Sequence, residues 1–358
     1  MFKQNKGEWS ELYVFLKLLG CGILYAADED LNRINDLYYP LIEVLRKEDS
    51  KIKHYTKRET QIIVIDNDNN NLLTMPMSNF AHMAETLLNV IKTSSGTFSV
   101  PDVEDFMRVI DCTKVKADSS DKSDITLVLH DCQTYRNDTF GFSIKSRLGS
   151  DSTLFNVGKS TNFTFELVGN LSAEQIEEIN NIQTRSKIKD RIRKIREYNC
   201  DIKYYDVEHP ICKSNLQMID TNFPLILAEY ILLYYSGSGK NICELTPQIS
   251  EKNPCNFNLS TGHVHYEHKI KNFLTDTALG MTAAKVWSGD FDATGGFIIV
   301  REDGEVLCYH VYNHNEFKNY LFKNTYFDTP DPKRHDFGYI YEKNDRKYIR
   351  LNAQIRFS

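Results

Sequence analysis

The chain has no Cys-x-x-Cys pair, although eight cysteines are scattered at positions 21, 112, 132, 200, 212, 243, 255 and 308. That absence excludes a readable zinc ribbon or a thioredoxin-like redox motif, and scattered thiols in a cytosolic chain behave as small buried hydrophobes. Proline is sparse, nine in 358 residues, and no Pro/Gly/Ser-rich linker or internal repeat cuts the chain. No apolar run approaches the roughly 20 residues that a membrane span requires. The opening Met1-Phe2-Lys3-Gln4-Asn5-Lys6-Gly7-Glu8 lacks the basic-then-apolar order of a signal peptide, so the expectation is a cytoplasmic protein without a membrane partner. Basic charge is not in excess either: 43 Lys and Arg against 49 Asp and Glu leave −6. Net charge is a blunt criterion, because a nucleic-acid enzyme needs only one basic face.

What is present is globular: 41% hydrophobic and 26% charged residues, with 20 Phe and 20 Tyr. Trp9, Leu12, Phe15, Leu16 and Leu19 recur at helical spacing, which predicts a buried first helix over 9–26. Further helices are predicted at Leu37–Lys47, Phe80–Ile91 and Val103–Ile110, and a strand at Thr60–Ile65. Two strands, Ile125–Leu129 and Phe140–Ser146, flank a polar turn, and strands at Ser152–Asn156 and Asn162–Leu167 follow. Ser172 and Gln175 form a capping-box-like start for one long helix reaching about Tyr198. Helices near Phe223–Tyr235, Lys269–Val286 and Asn315–Lys323 and strands at Gly296–Val300, Glu305–Val311, Phe337–Tyr341 and Tyr348–Phe357 complete the chain. The order implies an α+β fold, a mixed sheet flanked by helices, with a helical insert and a C-terminal β-containing region. It divides as 1–170 for the core with its hairpin, 171–288 for a helical region and 289–358 for a β-rich part packing on the core.

The chemistry concentrates in the hairpin. A turn centred on Thr134–Tyr135 sets Asp124 opposite Lys145, and Ser143 shares a strand face with Lys145 because side chains alternate with period two. Asp131 pairs near Asp138 in that register, about 23 Å from Lys145 at roughly 3.3 Å per residue, too far to cooperate. A carboxylate facing a lysine across a hairpin suits Mg²⁺ and in-line phosphodiester hydrolysis. Taken alone, such a pair is more often a strand cap beside a solvated or ion-paired lysine than a site.

The surrounding residues decide between those readings. Gly141-Phe142-Ser143-Ile144-Lys145-Ser146-Arg147, then Thr153-Leu154-Phe155-Asn156 and Thr161-Asn162-Phe163, resemble the core of type II restriction endonucleases with the PD-(D/E)XK nuclease fold. In that resemblance Asp124 matches the first acid and Lys145 the lysine, while Ser143 occupies the place of the second acid. Serine is a poor metal ligand, which leaves the number of metal ions open. Gly7-Glu8-Trp9-Ser10-Glu11 resembles the helix whose glutamate points at the site; Glu11 is the match, as a second metal-binding carboxylate, because Glu8 precedes the periodic stretch. The segments Gly289–Gly296, Tyr309-His310, Arg334-His335 and Leu351–Phe357, with the opening Lys6–Glu11, are similar over essentially the whole length to the HpaII family. The resemblance implies Mg²⁺-dependent double-strand cleavage of DNA at 5′-CCGG-3′ after the first C. It also implies functional pairing with a cognate DNA methyltransferase. Cutting both strands of a palindrome suits either a homodimer, through its two-fold symmetry, or a monomer that nicks twice.

Between Arg185 and Arg196, Arg185, Lys187, Lys189, Arg191, Arg193, Lys194 and Arg196 alternate with Ile188, Ile192 and Ile195, so one helix face packs and the rest presents positive charge to phosphates. Beside a nuclease motif, Arg147, Asn156, Lys159, Thr161 and Asn162 are candidate DNA contacts, with Arg334 and His335 as a second, C-terminal one. His263, His265 and His268 lack the spaced partners of a zinc site, and Ser236–Lys240 lacks the phosphate-loop frame and reads as a helix–helix turn. Two other functions stay open: an HNH-type nuclease built on Tyr309–His314, and a DNA-binding protein without catalysis.

Overall fold

Helix α1, Lys6–Cys21, begins where Asn5 Oδ1 accepts the Glu8 N–H at 3.0 Å and Glu8 Oε2 accepts the Asn5 N–H at 2.9 Å. It stops at Gly22, whose φ of 70° is the left-handed cap that favours glycine. Trp9, Leu12, Tyr13, Val14, Phe15, Leu16, Leu18 and Leu19 are all buried, because the helix lies between the sheet and helix α2, Met77–Thr93. The two helices approach so closely at Gly20 that an added Cβ would lie 2.6 Å from the Ala81 backbone nitrogen. Each large apolar side chain buried here stabilises by about 1.5–3 kcal/mol.

The computed structural model describes residues 2–49, 51–68, 70–116, 123–132 and 134–358. They form two units: residues 1–152 with 291–320, and residues 153–290 with 321–358. The chain therefore passes between units three times, unlike the expected division at 170 and 288. A helix expected to open a separate helical region falls inside the second unit, and the strands after 289 are shared between the two.

The first unit holds a nine-stranded sheet. Its strands are β1 Ile23–Ala27, β2 Arg33–Glu48, β3 Lys51–Arg58, β4 Gln61–Ile65, β5 Asn71–Pro76, β6 Ile125–Asp131, β7 Arg136–Ser146, β8 Gly296–Val300 and β9 Val306–His310. They lie in the order β1-β9-β8-β7-β6-β2-β3-β4-β5, and β1 also pairs with the first part of β2. β8 runs parallel to β7, whereas β6 and β7 form the antiparallel hairpin. Helix α3, Pro101–Val109, completes the helical layer.

β2 replaces the helix expected over Leu37–Lys47. Tyr39 and Leu41 point inward, then a register shift between Leu41 and Glu43 changes the phase so that Val44, Arg46 and Glu48 are buried. The bulge turns a period-two pattern into one that mimics helical spacing.

In the second unit, strands Asp201–Val207, Asn162–Val168, Arg346–Asn352 and Ile340–Lys343 form an antiparallel sheet in that order. Helix Phe223–Tyr235 is buried almost all round, as its unbroken apolar sequence dictates. The long helix expected from Ser172 is two, Ala173–Asn180 and Lys187–Glu197, although Ser172 and Gln175 do form the capping box. At the break, the fully buried Arg191 guanidinium donates to the carbonyls of Asn180, Ile182 and Gly338 at 2.7–2.9 Å. Ser236–Lys240 is a turn between helices, as read. Cys112, Cys200, Cys212 and Cys308 are buried free thiols. No helix among the described residues is long and apolar enough to cross a membrane.

Candidate active site

Three elements of the first unit converge on one spot: α1 carries Glu11, the residue before β6 is Asp124, and β7 carries Ser143 and Lys145. The Ser10 hydroxyl donates to the Lys6 carbonyl at 2.7 Å and lies in hydrogen-bond contact with the Ser146 hydroxyl at 2.8 Å, which locks the first turns of α1 against the end of β7. Glu8, by contrast, is spent on the capping box.

The hairpin register differs from the expected one. Ile125 pairs with Phe142 and Asp131 with Arg136, so Asp124 faces Ser143, not Lys145. The offset is two residues, which preserves the face of every side chain, so Lys145 still stands on the side of the sheet that Asp124 occupies. Tyr135 at the tip takes φ 57°, tightening the connection. Asp131 and Asp138 lie toward that tip, Asp138 opposite Leu129. Gly141 is required beside the site: an added Cβ would meet the Ser123 Cβ at 2.8 Å.

Asp124 is a fixed carboxylate. Its Oδ2 accepts the Ser143 hydroxyl at 3.1 Å and the Ile144 N–H at 2.8 Å, leaving Oδ1 directed elsewhere. Ser143 thus serves the neighbouring acid rather than replacing one. Glu11 is buried enough that desolvation, reinforced by the charge of Asp124 and opposed by Lys116 and Lys145, pushes its carboxyl up to about 7. Its Oε2 is buried, with no hydrogen-bond partner among the described residues. Burial also pulls the Lys145 ammonium below the ordinary lysine value, against the opposing pull of Asp124 and Glu11. Lys145 Nζ lies 5.6 Å from the ring centre of the buried Phe297 on β8.

Sequence reasoning missed one member of the cluster. Lys116 Nζ lies 3.0 Å from Glu11 Oε1 and 3.8 Å from Asp124 Oδ1. It precedes β6 on a segment without periodicity, so no pattern marks it.

A hard dication fits these donors. Mg²⁺ commonly takes one or two carboxylates with water and substrate oxygens, and Glu11 with its buried Oε2 and Asp124 with its Oδ1 supply two. Among the described residues no group of three His, Cys, Asp or Glu side chains is arranged to hold a metal. The segment Tyr309–His314 is a strand end, a 3₁₀ turn and a helix start, not the ββα arrangement of an HNH site. His310 is fully buried against Tyr39, Phe140 and Tyr312.

The expected DNA contacts divide by exposure. Arg185, Arg193, Arg196, Asn156, Lys159 and Arg334 are exposed, and Lys187, Lys189, Lys194 and His335 are half-buried. Arg193 pairs with Asp190 and Glu197, Lys194 with Glu178 and Glu197, and Lys189 sits over the Tyr234 ring. Three candidates are corrected to internal roles. Arg191 is consumed by the carbonyls described above. Thr161 and Asn162 are buried, Thr161 Oγ1 donating to the Gly158 carbonyl and Asn162 linking Asn352 to the His335 carbonyl. Arg147, in the first unit, packs its guanidinium 5.8 Å from the Tyr320 ring.

No solved structure matches this chain. Type II restriction enzyme HpaII from Haemophilus parainfluenzae is 47% identical over 358 residues, covering 99% of each chain. The HpaII restriction endonuclease family matches residues 5–357. Coverage of that extent, with this identity, shows that the chain belongs to the HpaII restriction endonuclease family.

Proposed function

We propose that this restriction endonuclease cuts both strands of DNA at 5′-CCGG-3′ after the first C, leaving a 5′ overhang, and depends on Mg²⁺ held by Glu11 and Asp124. The reading rests on one observation above all: Glu11, Asp124 and Lys145, drawn from three separate elements, meet at one end of the β6–β7 hairpin. When bound, the cation supplies Lewis-acid polarisation of the scissile phosphate.

The protein's own groups do the rest. Ser143 and the Ile144 N–H hold Asp124 in one orientation, so that its Oδ1 faces the site before any ligand arrives. Lys145, its ammonium destabilised by burial, orients the attacking water, and its neutral amine form takes the proton that the water gives up. The target sequence comes from the family resemblance, as does the cognate methyltransferase; a homodimer is the reading that the symmetry of a palindrome favours, since its two-fold axis presents one site to each strand. Exposed basic residues such as Arg185, Arg193 and Arg196 are suited to phosphate contact.

Digestion of plasmid DNA with Mg²⁺ and with EDTA, followed by end sequencing, tests the reading. Discrete fragments with CCGG at every end, formed only with the metal, are expected. Lys145→Ala and Asp124→Ala should abolish cutting while still retarding DNA on a gel. Near-normal cutting by either variant would remove that residue from the mechanism, and retardation without cleavage under any metal would leave a binding protein.

A further inference from the structure

Lys116 carries an observation that the proposed mechanism does not use. Of the four carboxylate oxygens at the site, Asp124 Oδ2 is occupied by Ser143 and Ile144, and Lys116 contacts Glu11 Oε1 and faces Asp124 Oδ1. Its ammonium therefore covers the Asp124 oxygen that an incoming cation needs.

The mount of Lys116 is built, not incidental. The chain just before it is tied to β2 and β3 by a polar network in which Arg46, Glu48 and Lys53 are buried. Arg46 donates to the carbonyls of Lys114 and Val115, and Glu48 accepts the Thr113 N–H at 2.8 Å and its hydroxyl at 2.7 Å. Lys53 pairs with Asp111 at 2.9 Å and with Glu48 at 3.6 Å, and Lys114 with Asp49 at 2.7 Å. Val115 is buried in the hydrophobic core. The backbone is thus anchored up to residue 115, whereas the Lys116 side chain, 47% exposed, has room to swing away from the carboxylates.

We infer that Lys116 is a resident counter-cation, occupying the carboxylate pair of Glu11 and Asp124 in the metal-free protein and displaced when a divalent metal binds. Two carboxylates left bare would repel each other; the lysine keeps them together and preserves the site's shape until the dication takes over. The inference rests on the metal reading of Glu11 and Asp124. It makes Lys116 a positioning residue that sets metal affinity, in competition with the metal itself.

The test is Mn²⁺ titration of the full chain after EDTA stripping, with free Mn²⁺ read by electron paramagnetic resonance. Removing the charge in Lys116→Met should tighten Mn²⁺ binding roughly three- to tenfold, the scale set by half-exposed ion pairs. Lys116→Arg, which keeps the charge, should bind like the parent. In the parent, labelling of Lys116 by an amine-reactive reagent, followed by mass spectrometry, should speed up when Mn²⁺ is added. Equal or weaker Mn²⁺ binding by Lys116→Met, equal tightening by Lys116→Arg, or labelling indifferent to Mn²⁺ would overturn the inference. Asp124→Asn separates the two layers. If it loses Mn²⁺ while Lys116→Met matches the parent, only the lysine's role fails. If it binds Mn²⁺ like the parent, or if no form binds, the metal reading fails and the inference with it.

Discussion

Replacing Glu11 by glutamine should make the metal-free protein more stable near neutral pH while ending cleavage. The carboxyl is displaced from 4.5 to about 7, chiefly by burial and then by the neighbouring Asp124. A raised value means that the folded state holds a proton that the unfolded chain releases. The stabilisation is therefore complete below pH 4.5 and is lost as pH rises through about 7. At ~1.4 kcal/mol per pH unit the loss is about 3 kcal/mol. Only 15% of the Glu11 side chain is exposed, so solvent screening removes little of it. Glutamine has the same shape and never ionises, so it escapes the penalty. The assay is urea unfolding in EDTA at several pH values between 4.5 and 8, in a Trp287→Phe background so that the emission followed is that of Trp9, which is buried on α1 two residues from Glu11. Other titrating groups are common to both proteins and cancel in the difference. Parent and Glu11→Gln should match near pH 4.5, with the variant gaining about 1–3 kcal/mol by pH 8. A difference flat to within about 0.5 kcal/mol, or one of opposite sign, would refute the burial argument for Glu11.

Ser143→Ala removes one of two hydrogen bonds to Asp124 Oδ2 and should lower the cleavage rate about tenfold, as one charge-assisted bond is worth about 1.5 kcal/mol; a loss of many orders of magnitude, by single-turnover kinetics, would give Ser143 a larger part. His310→Phe should cleave like the parent. Burial holds this histidine down at about 4, below its ordinary 6.5, so its stabilisation is present above 6.5 and lost as pH falls through 4. The variant's acid unfolding midpoint should accordingly be less dependent on pH in that window. Arg191→Met strands three carbonyls, that of Gly338 buried and those of Asn180 and Ile182 partly so, and should cost about 2–4 kcal/mol in chemical denaturation, whereas Arg196→Ala should leave stability unchanged and reduce the salt dependence of DNA binding, measured by filter retention.

How much of this was legible beforehand can be traced residue by residue. The first helix as far as Cys21, the β6–β7 hairpin and the capping box at Ser172 have local causes: apolar spacing, alternation across a polar turn, and a serine three residues before a glutamine; the end of the helix expected over 9–26 is instead strand β1, cut off by the left-handed Gly22. The grouping of Asp124, Ser143 and Lys145 on one face was readable even though the register was two residues off, because a shift of two conserves the face. What failed depended on partners distant in sequence. β2 looked helical because a bulge imposed by its neighbours broke its alternation. The basic run from Arg185 to Arg196 looked uniform, yet Arg191 faces three carbonyls that no local pattern foretells. Lys116 reaches Glu11 across 105 positions, through a buried network whose members are scattered from Arg46 to Lys114.

The insertion of most of the second unit, residues 153–290, between β7 and β8 bears on how the protein is made. β8 lies alongside the Lys145 strand, and β9 joins β8 to β1, but both are translated about 150 residues after β7. A ribosome-bound chain of 250 residues already holds Glu11, Asp124, Ser143 and Lys145, yet lacks the Phe297 floor beneath Lys145 and the strand that closes the sheet. The edge of β7 stays open throughout that interval, exposed to mispairing until its neighbour emerges. Assembly of the first unit is thus timed by synthesis of most of the second, and prematurely terminated chains carry the chemical groups without the scaffold that aligns them.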